Sequence, residues 1–220
     1  MSKRLQELLE SNGRYSDALE MPPEAIEAYR PHVPAMLVDL WESVGIGSWK
    51  SGRLRICNPI EYRDVLEMVF ASDADLSIED CHVYATSVFG TLYFWSERHF
   101  SGTIDLIDGR VICSGLTSPE EKGDPEVDFL LSLFDPDKDT LDWFDDEQKP
   151  LYGRAVKEHG RPGRDDCFGF VPAIALGGDP NLENVRKYPA LAHFGFLAQA
   201  QTFLLYDYLS RPIRQVRPIG

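Results

Sequence analysis

The feature that most constrains this chain is a central block dense in β-branched and aromatic residues: HVYATSVFG (82–90), TLYFWS (91–96) and TIDLI (103–107). Such side chains suit a pleated, half-buried surface better than a helix, where branching at Cβ restricts rotamers. Asp108-Gly109 stands between TIDLI and RVIC as a two-residue hairpin turn would. An antiparallel sheet follows, and its apolar faces need helices to cover them. The pattern reads as α+β: an antiparallel sheet with flanking helices in an N-terminal unit, residues 1–117, and a mostly helical C-terminal unit, residues 118–220, packed against it.

Helical signals flank the block. Leu5, Leu8 and Leu9 recur at helical spacing, and a second segment runs from Ile26 to Trp41 after Met21-Pro22-Pro23, stopped by Gly45 and Gly47. A short strand is expected around Leu54 to Cys57. Asn58-Pro59-Ile60-Glu61 then supplies an N-cap, a first-turn proline and a glutamate that together open a helix. Downstream, Asp124-Pro125 opens PEVDFLLSLF, another helix is expected near Lys149 to His159, and a long one over 190–209. DDCFGFVPAIALGG (165–178) is apolar but broken by Gly169, Pro172 and Gly177-Gly178, which suggests a buried irregular segment. YPALAHFGFLAQAQTFLLY (188–206) carries no charged residue, yet Pro189, His193, Gly195, Gln199 and Gln201 suit a core helix better than lipid.

The net charge is −14. This disfavours direct nucleic-acid binding, which needs lysine and arginine to displace counterions, and disfavours anionic membranes; it suits a basic protein partner. Residues 120–147 hold twelve acids against Lys122 and Lys138, a local charge of −10. Within it, DPDKDTLDWFDDE (135–147) sets Leu141, Trp143 and Phe144 among carboxylates, the composition of a docking surface for a basic protein or of a surface loop pinned to the core. Asp135, Asp137, Asp139, Asp142, Trp143, Asp145, Asp146 and Glu147 are the candidate partner-binding residues. Asp135, Asp137 and Asp139 also occupy the first three ligand positions of an EF-hand loop, but Thr140 replaces the required glycine and Asp146 the final glutamate. A calcium- or ligand-binding regulator is therefore the weaker alternative.

No catalytic constellation emerges. The five histidines form no H-x-H or H-E-x-x-H, and neither a G-x-S-x-G elbow, a phosphate loop nor a dinucleotide fingerprint occurs. No cofactor and no metal site is implied. Trp95, Glu97, Arg98 and His99 make the densest polar cluster, of a kind that usually solvates a hairpin end. Cys57, Cys81, Cys113 and Cys167 lack paired spacing and read as small buried thiols of a reducing compartment. The charged start MSKRLQELLESNGR is unlike a signal peptide, so a cytoplasmic location is expected.

LVDLWESVGIGSW (37–49), CNPIEYRDVLEM (57–68) and ATSVFGTLYFWS (85–96) resemble the GAD-like domain family. LYGRAVKEHGRPGRDDCFGFVPAIALGGDPNLENVRK (151–187) and LAHFGFLAQ (191–199) resemble the C-terminal domain of immunity proteins against type VI secretion DNase toxins. The resemblance implies a cytoplasmic antitoxin without chemistry of its own that binds a cognate, basic nuclease effector and blocks it. In its most specific string, Phe168, Gly169, Phe170, Pro172, Ala173, Leu176, Gly177 and Gly178 are small or apolar, so their expected role is to shape the core.

Overall fold

The computed structural model describes Leu5, Glu7, Leu9 and residues 15–220. Leu5, Glu7 and Leu9 are helical; Leu8 lies outside the described residues. The chain then runs β1 (Ser16–Leu19), α1 (Pro23–Tyr29), α2 (Ala35–Val44), β2 (Ile46–Trp49), β3 (Leu54–Ile56), α3 (Arg63–Phe70), β4 (Cys81–Ser87), β5 (Thr91–Ser96), β6 (Phe100–Asp105), β7 (Arg110–Ile112) and α4 (Ser114–Thr117). It continues through α5 (Pro125–Phe134), α6 (Tyr152–His159), β8 (Asp166–Phe170), β9 (Val185–Pro189), α7 (Ala190–Ala200), β10 (Leu204–Asp207) and β11 (Arg214–Pro218).

Nine strands form one sheet in the order β1-β2-β3-β4-β5-β6-β7-β10-β11, antiparallel except where β10 runs parallel to β7. Helices cover both faces. On one, Leu37 and Trp41 of α2 and Phe129 and Leu133 of α5 pack on Trp49, Tyr93 and Trp95; on the other, Val65 and Val69 of α3, Ala155 of α6 and Phe194 of α7 pack with Leu92, Phe94 and Ile104. The apolar run in β5 is explained by this double burial: Leu92 and Phe94 serve one core while Tyr93 and Trp95 serve the other. In β4 a register shift between Val83 and Ala85 turns both Tyr84 and Ala85 toward the second core.

The mixed α+β character is as expected, whereas the mostly helical C-terminal half is not: it carries four strands as well as its helices. Within the stretch expected to be irregular, Asp166–Phe170 pairs as β8 with β9 in a separate two-stranded ladder, and irregular backbone resumes only after Phe170. The helix expected over 190–209 ends at Ala200, because Gln201 turns extended and Leu204–Asp207 fills the open edge of β7. The helix expected from Ile26 to Trp41 is two helices, since Pro31 and Pro34 interrupt it. Asp108-Gly109 belongs to a four-residue loop rather than a two-residue turn: Asp105 pairs with Arg110, and the Asp105 carboxylate accepts the Ile107 and Asp108 amides at 2.9 and 3.1 Å. Asn58 caps as expected, accepting from the Ile60 amide at 3.3 Å before the turn that leads into α3. All four cysteines are free and buried.

Candidate functional site

The acid-rich segment begins by capping. At the start of α5 the Asp124 carboxylate accepts the Glu126 and Val127 amides at 2.9 and 3.1 Å. Within the same first turn, Glu126 crosses to α2 and accepts the Ala35 and Met36 amides at 2.7 and 3.0 Å, and Asp128 accepts the Ser101 amide of β6 at 2.9 Å. Carboxylates at helix N-termini satisfy amides that lack an intrahelical partner and oppose the positive end of the helix dipole.

Beyond α5 the candidate residues divide by exposure. Asp142 and Asp145 point inward. Asp142 accepts the Trp143 and Tyr152 amides at 2.9 and 2.7 Å and faces the Arg53 guanidinium at 3.7 Å, which itself lies 4.1 Å over the Tyr152 ring. Burial pushes the Asp142 carboxyl above the usual carboxylate range, outweighing those amides and Arg53. Asp145 accepts the Glu147 and Lys149 amides at 3.0 and 2.8 Å and pairs with Arg154 at 2.7 Å; the Lys149 amide is the main cause that lowers its pKa. Trp143 is half-buried, its ring 5.7 Å from Phe170, and Leu141 is buried beneath the loop. Of the candidate set, Asp135, Asp137, Asp139, Asp146 and Glu147 remain exposed.

The exposed acids do not form a calcium loop. Asp137 is committed to a local turn, accepting the Asp139 and Thr140 amides at 3.0 and 2.8 Å, and the Lys50 ammonium sits beside Asp135 and Asp137, donating to the Phe134 and Pro136 carbonyls at 2.9 and 2.5 Å. Among the described residues, Asp135, Asp137 and Asp139 belong to no group that gathers three ligand atoms. Asp146 accepts from the Asn181 amide group at 3.1 Å, and Glu147 pairs with Lys149.

Beside this loop lies an apolar groove of about 440 Å³ between the β8–β9 ladder, the segment after β8 and α7. Phe170 and Pro172 line it with Val171, Leu176, Tyr188 and Phe196. Val171, Leu176 and Phe196 are 46%, 59% and 47% exposed, unusual for three large apolar residues in one depression. The glycines of the string have steric reasons. A Cβ on Gly169 would lie 2.1 Å from His193 Nε2, one on Gly178 would lie 1.9 Å from the Pro172 carbonyl, and Gly177 takes φ +86° after a helical turn. Phe168 is fully buried, its ring 5.8 Å from Phe89. Sequence reasoning assigned the string to the core and missed that its Phe170, Val171, Pro172 and Leu176 also wall a surface groove. The available clue was that 188–206 and 168–176 are both apolar and charge-free, more than one helix face can bury.

The polar cluster after β5 is dispersed. Trp95 stacks on Phe100 at 5.2 Å, Arg98 pairs with Asp80 at 2.9 Å, and Glu97 turns to His32 and His82. No described helix is long and apolar enough to cross a membrane.

Residues 3–107 match the GAD-like domain family, and residues 125–201 match the C-terminal domain of the T6SS immunity protein Tdi1. Among curated proteins, none matches the chain. The fold is similar to the crystal structure of Atu4351 from Agrobacterium tumefaciens, 28% identical with a TM-score of 0.88 over 96% of each chain. The chain is thus similar, in two successive spans, to a GAD-like domain and to the C-terminal domain of the T6SS immunity protein Tdi1.

Proposed function

We propose that this chain is a cytoplasmic, non-enzymatic immunity protein that binds and neutralises a cognate basic nuclease effector of a type VI secretion system. The observation that carries this is the match of residues 125–201 to the Tdi1 immunity domain, a span that contains both the acidic loop and the apolar groove. A basic nuclease presents arginine and lysine around its phosphate-binding face, which exposed carboxylates attract and orient during encounter. Asp135, Asp137, Asp139, Asp146 and Glu147 supply that attraction. The groove supplies desolvated apolar area at the centre, where binding energy concentrates. Asp142, Asp145 and Trp143 hold the loop in shape and contribute indirectly.

The test is titration of a catalytically inactive nuclease effector, recovered by affinity capture from the host, against the chain at low and moderate salt. Neutralising the five exposed acids to Asn or Gln together raises Kd about tenfold or more, chiefly through slower association, and flattens the salt dependence. Leu176→Asp in the groove removes binding while leaving the circular dichroism spectrum intact. A complex indifferent to both changes would refute the proposed surface; failure of any nuclease effector to bind the native chain would refute the proposed partner.

A further inference from the structure

Where the β4–β5 hairpin ends, three side chains from distant parts of the chain converge. His82 lies in β4 opposite Trp95 of β5, and the strand continues to Glu97, whose amide donates to the Asp80 carbonyl at 2.9 Å. His32 arrives from the turn between α1 and α2, where its amide donates to the Tyr29 carbonyl at 2.9 Å and Pro31 and Pro34 flank it. The Tyr29 ring packs edge-on against His82 at 5.4 Å, tying the turn to the strand. His32 Nδ1 lies 3.0 Å and His82 Nε2 3.2 Å from one and the same oxygen, Glu97 Oε1. Among the described residues, these are the three His, Cys, Asp or Glu side chains whose ligand atoms all fall within 4.8 Å of one another.

We propose that His32, His82 and Glu97 bind a divalent transition-metal cation of the zinc class. In a tetrahedral site with bonds of about 2.05 Å, ligand atoms stand about 3.3 Å apart, close to the two separations already present. Two imidazoles and one carboxylate suit zinc and its first-row neighbours, whereas calcium and magnesium favour all-oxygen sets. The remaining coordination positions open onto a cavity of about 340 Å³ lined by His32, Glu97, Trp95 and Phe100, roomy enough for water ligands. Glu126 also borders that cavity, but its carboxylate is committed to the α2 amides and is not a fourth ligand. The cation replaces the two imidazole-to-carboxylate hydrogen bonds, the ring protons moving to His32 Nε2 and His82 Nδ1, and clamps the α1–α2 turn onto the sheet.

Calorimetric titration of ZnCl2 into the tag-free, chelator-treated full chain tests this, with MgCl2 as the contrasting cation. One zinc per chain binds with a micromolar or lower Kd and raises the thermal midpoint, while magnesium gives no comparable heat. His32→Ala removes an exposed ligand without disturbing the core, and Glu97→Gln keeps a hydrogen-bond acceptor while losing the ligand charge. Each weakens zinc about tenfold or more. Absence of zinc binding by the native chain overturns the proposal, as does native affinity in both variants, which would place the cation elsewhere.

Discussion

Replacing His193 by glutamine removes a buried titratable ring, and the consequence is legible in how stability depends on pH. The His193 ring lies flat against Tyr188 at 4.7 Å, near Phe196 at 6.3 Å and directly over Gly169, and it is 9% exposed. Burial pulls its pKa down to about 4, against about 6.5 in an unfolded chain. A depressed folded pKa means that the unfolded chain takes up the proton first, so stability is complete above about pH 6.5 and declines as pH falls toward 4. With these two pKa values, the loss between about pH 7.5 and about pH 5.5 is about 1.3 kcal/mol. That window stays clear of the isoelectric point near 4.7. Asp105 acts in the opposite sense: burial and the neighbouring Asp108 carboxylate push its pKa up to about 6, so the folded chain gains stability there as pH falls. The native curve alone therefore sums several titrations, His82 and His99 among them, and the difference between native and His193→Gln isolates one. Urea unfolding at both pH values is the assay. The variant, whatever its absolute stability, declines by about 1.3 kcal/mol less than the native chain over this window. Equal declines within about 0.3 kcal/mol would refute the burial argument, because no other change in protonation is introduced.

Asp142→Ala strands the Trp143 and Tyr152 amides and leaves Arg53 unpaired, and costs about 2–4 kcal/mol by chemical denaturation, whereas Asp139→Ala on the exposed rim changes stability by less than about 0.5 kcal/mol. Gly169→Ala drives a methyl into the His193 ring and costs about 1–3 kcal/mol, while Gly123→Ala, with open space around it, is neutral or nearly so in the same measurement. Burial favours neutral Asp73, but Arg217 and the amides of Asp75, Leu76 and Gly220 outweigh it and bring its pKa down to about 2. Arg217→Ala accordingly costs about 1–2 kcal/mol at neutral pH after allowance for solvent at the part-exposed guanidinium, an effect present above about pH 4 and lost as pH falls toward 2.

Local chemistry was readable wherever one residue decided the outcome. Asp124-Pro125 opens α5, Asn58 caps the turn before α3 and Gly45 closes α2, each through a backbone group close in sequence. The misreadings share a different cause, long-range pairing. Leu204–Asp207 is indistinguishable by composition from the helix before it, and becomes a strand because the edge of β7 lies open beside it. Cys167–Phe170 looks irregular until Val185–Pro189, across an intervening loop, supplies its ladder. The convergence of His32, His82 and Glu97 had no motif because its members come from three separate elements. The acidic loop was legible as charge but not as architecture, since nothing in DPDKDTLDWFDDE says which carboxylates face inward.

That division has a physical consequence for recognition, because charge acts at two ranges. At physiological salt the screening length is about 8 Å, so an approaching basic partner senses carboxylates within about that distance of its path, including ones engaged with backbone amides. Of the twelve acids in residues 120–147, six, Asp124, Glu126, Asp128, Asp137, Asp142 and Asp145, accept at least one backbone amide and thereby fix α2, α5, β6 and the loop itself. At contact range only exposed groups can meet an arginine, and there the groove with Leu176 and Phe196 offers what the carboxylates cannot: apolar area that gains by leaving water. Loss of an amide-bound acid therefore weakens the scaffold first and binding through it, whereas loss of an exposed acid that holds no backbone amide, such as Asp139, slows encounter and leaves the fold intact. Measured together, unfolding free energy and association rate separate the two groups residue by residue, and a residue that moved both in isolation, without a buried partner, would contradict the assignment.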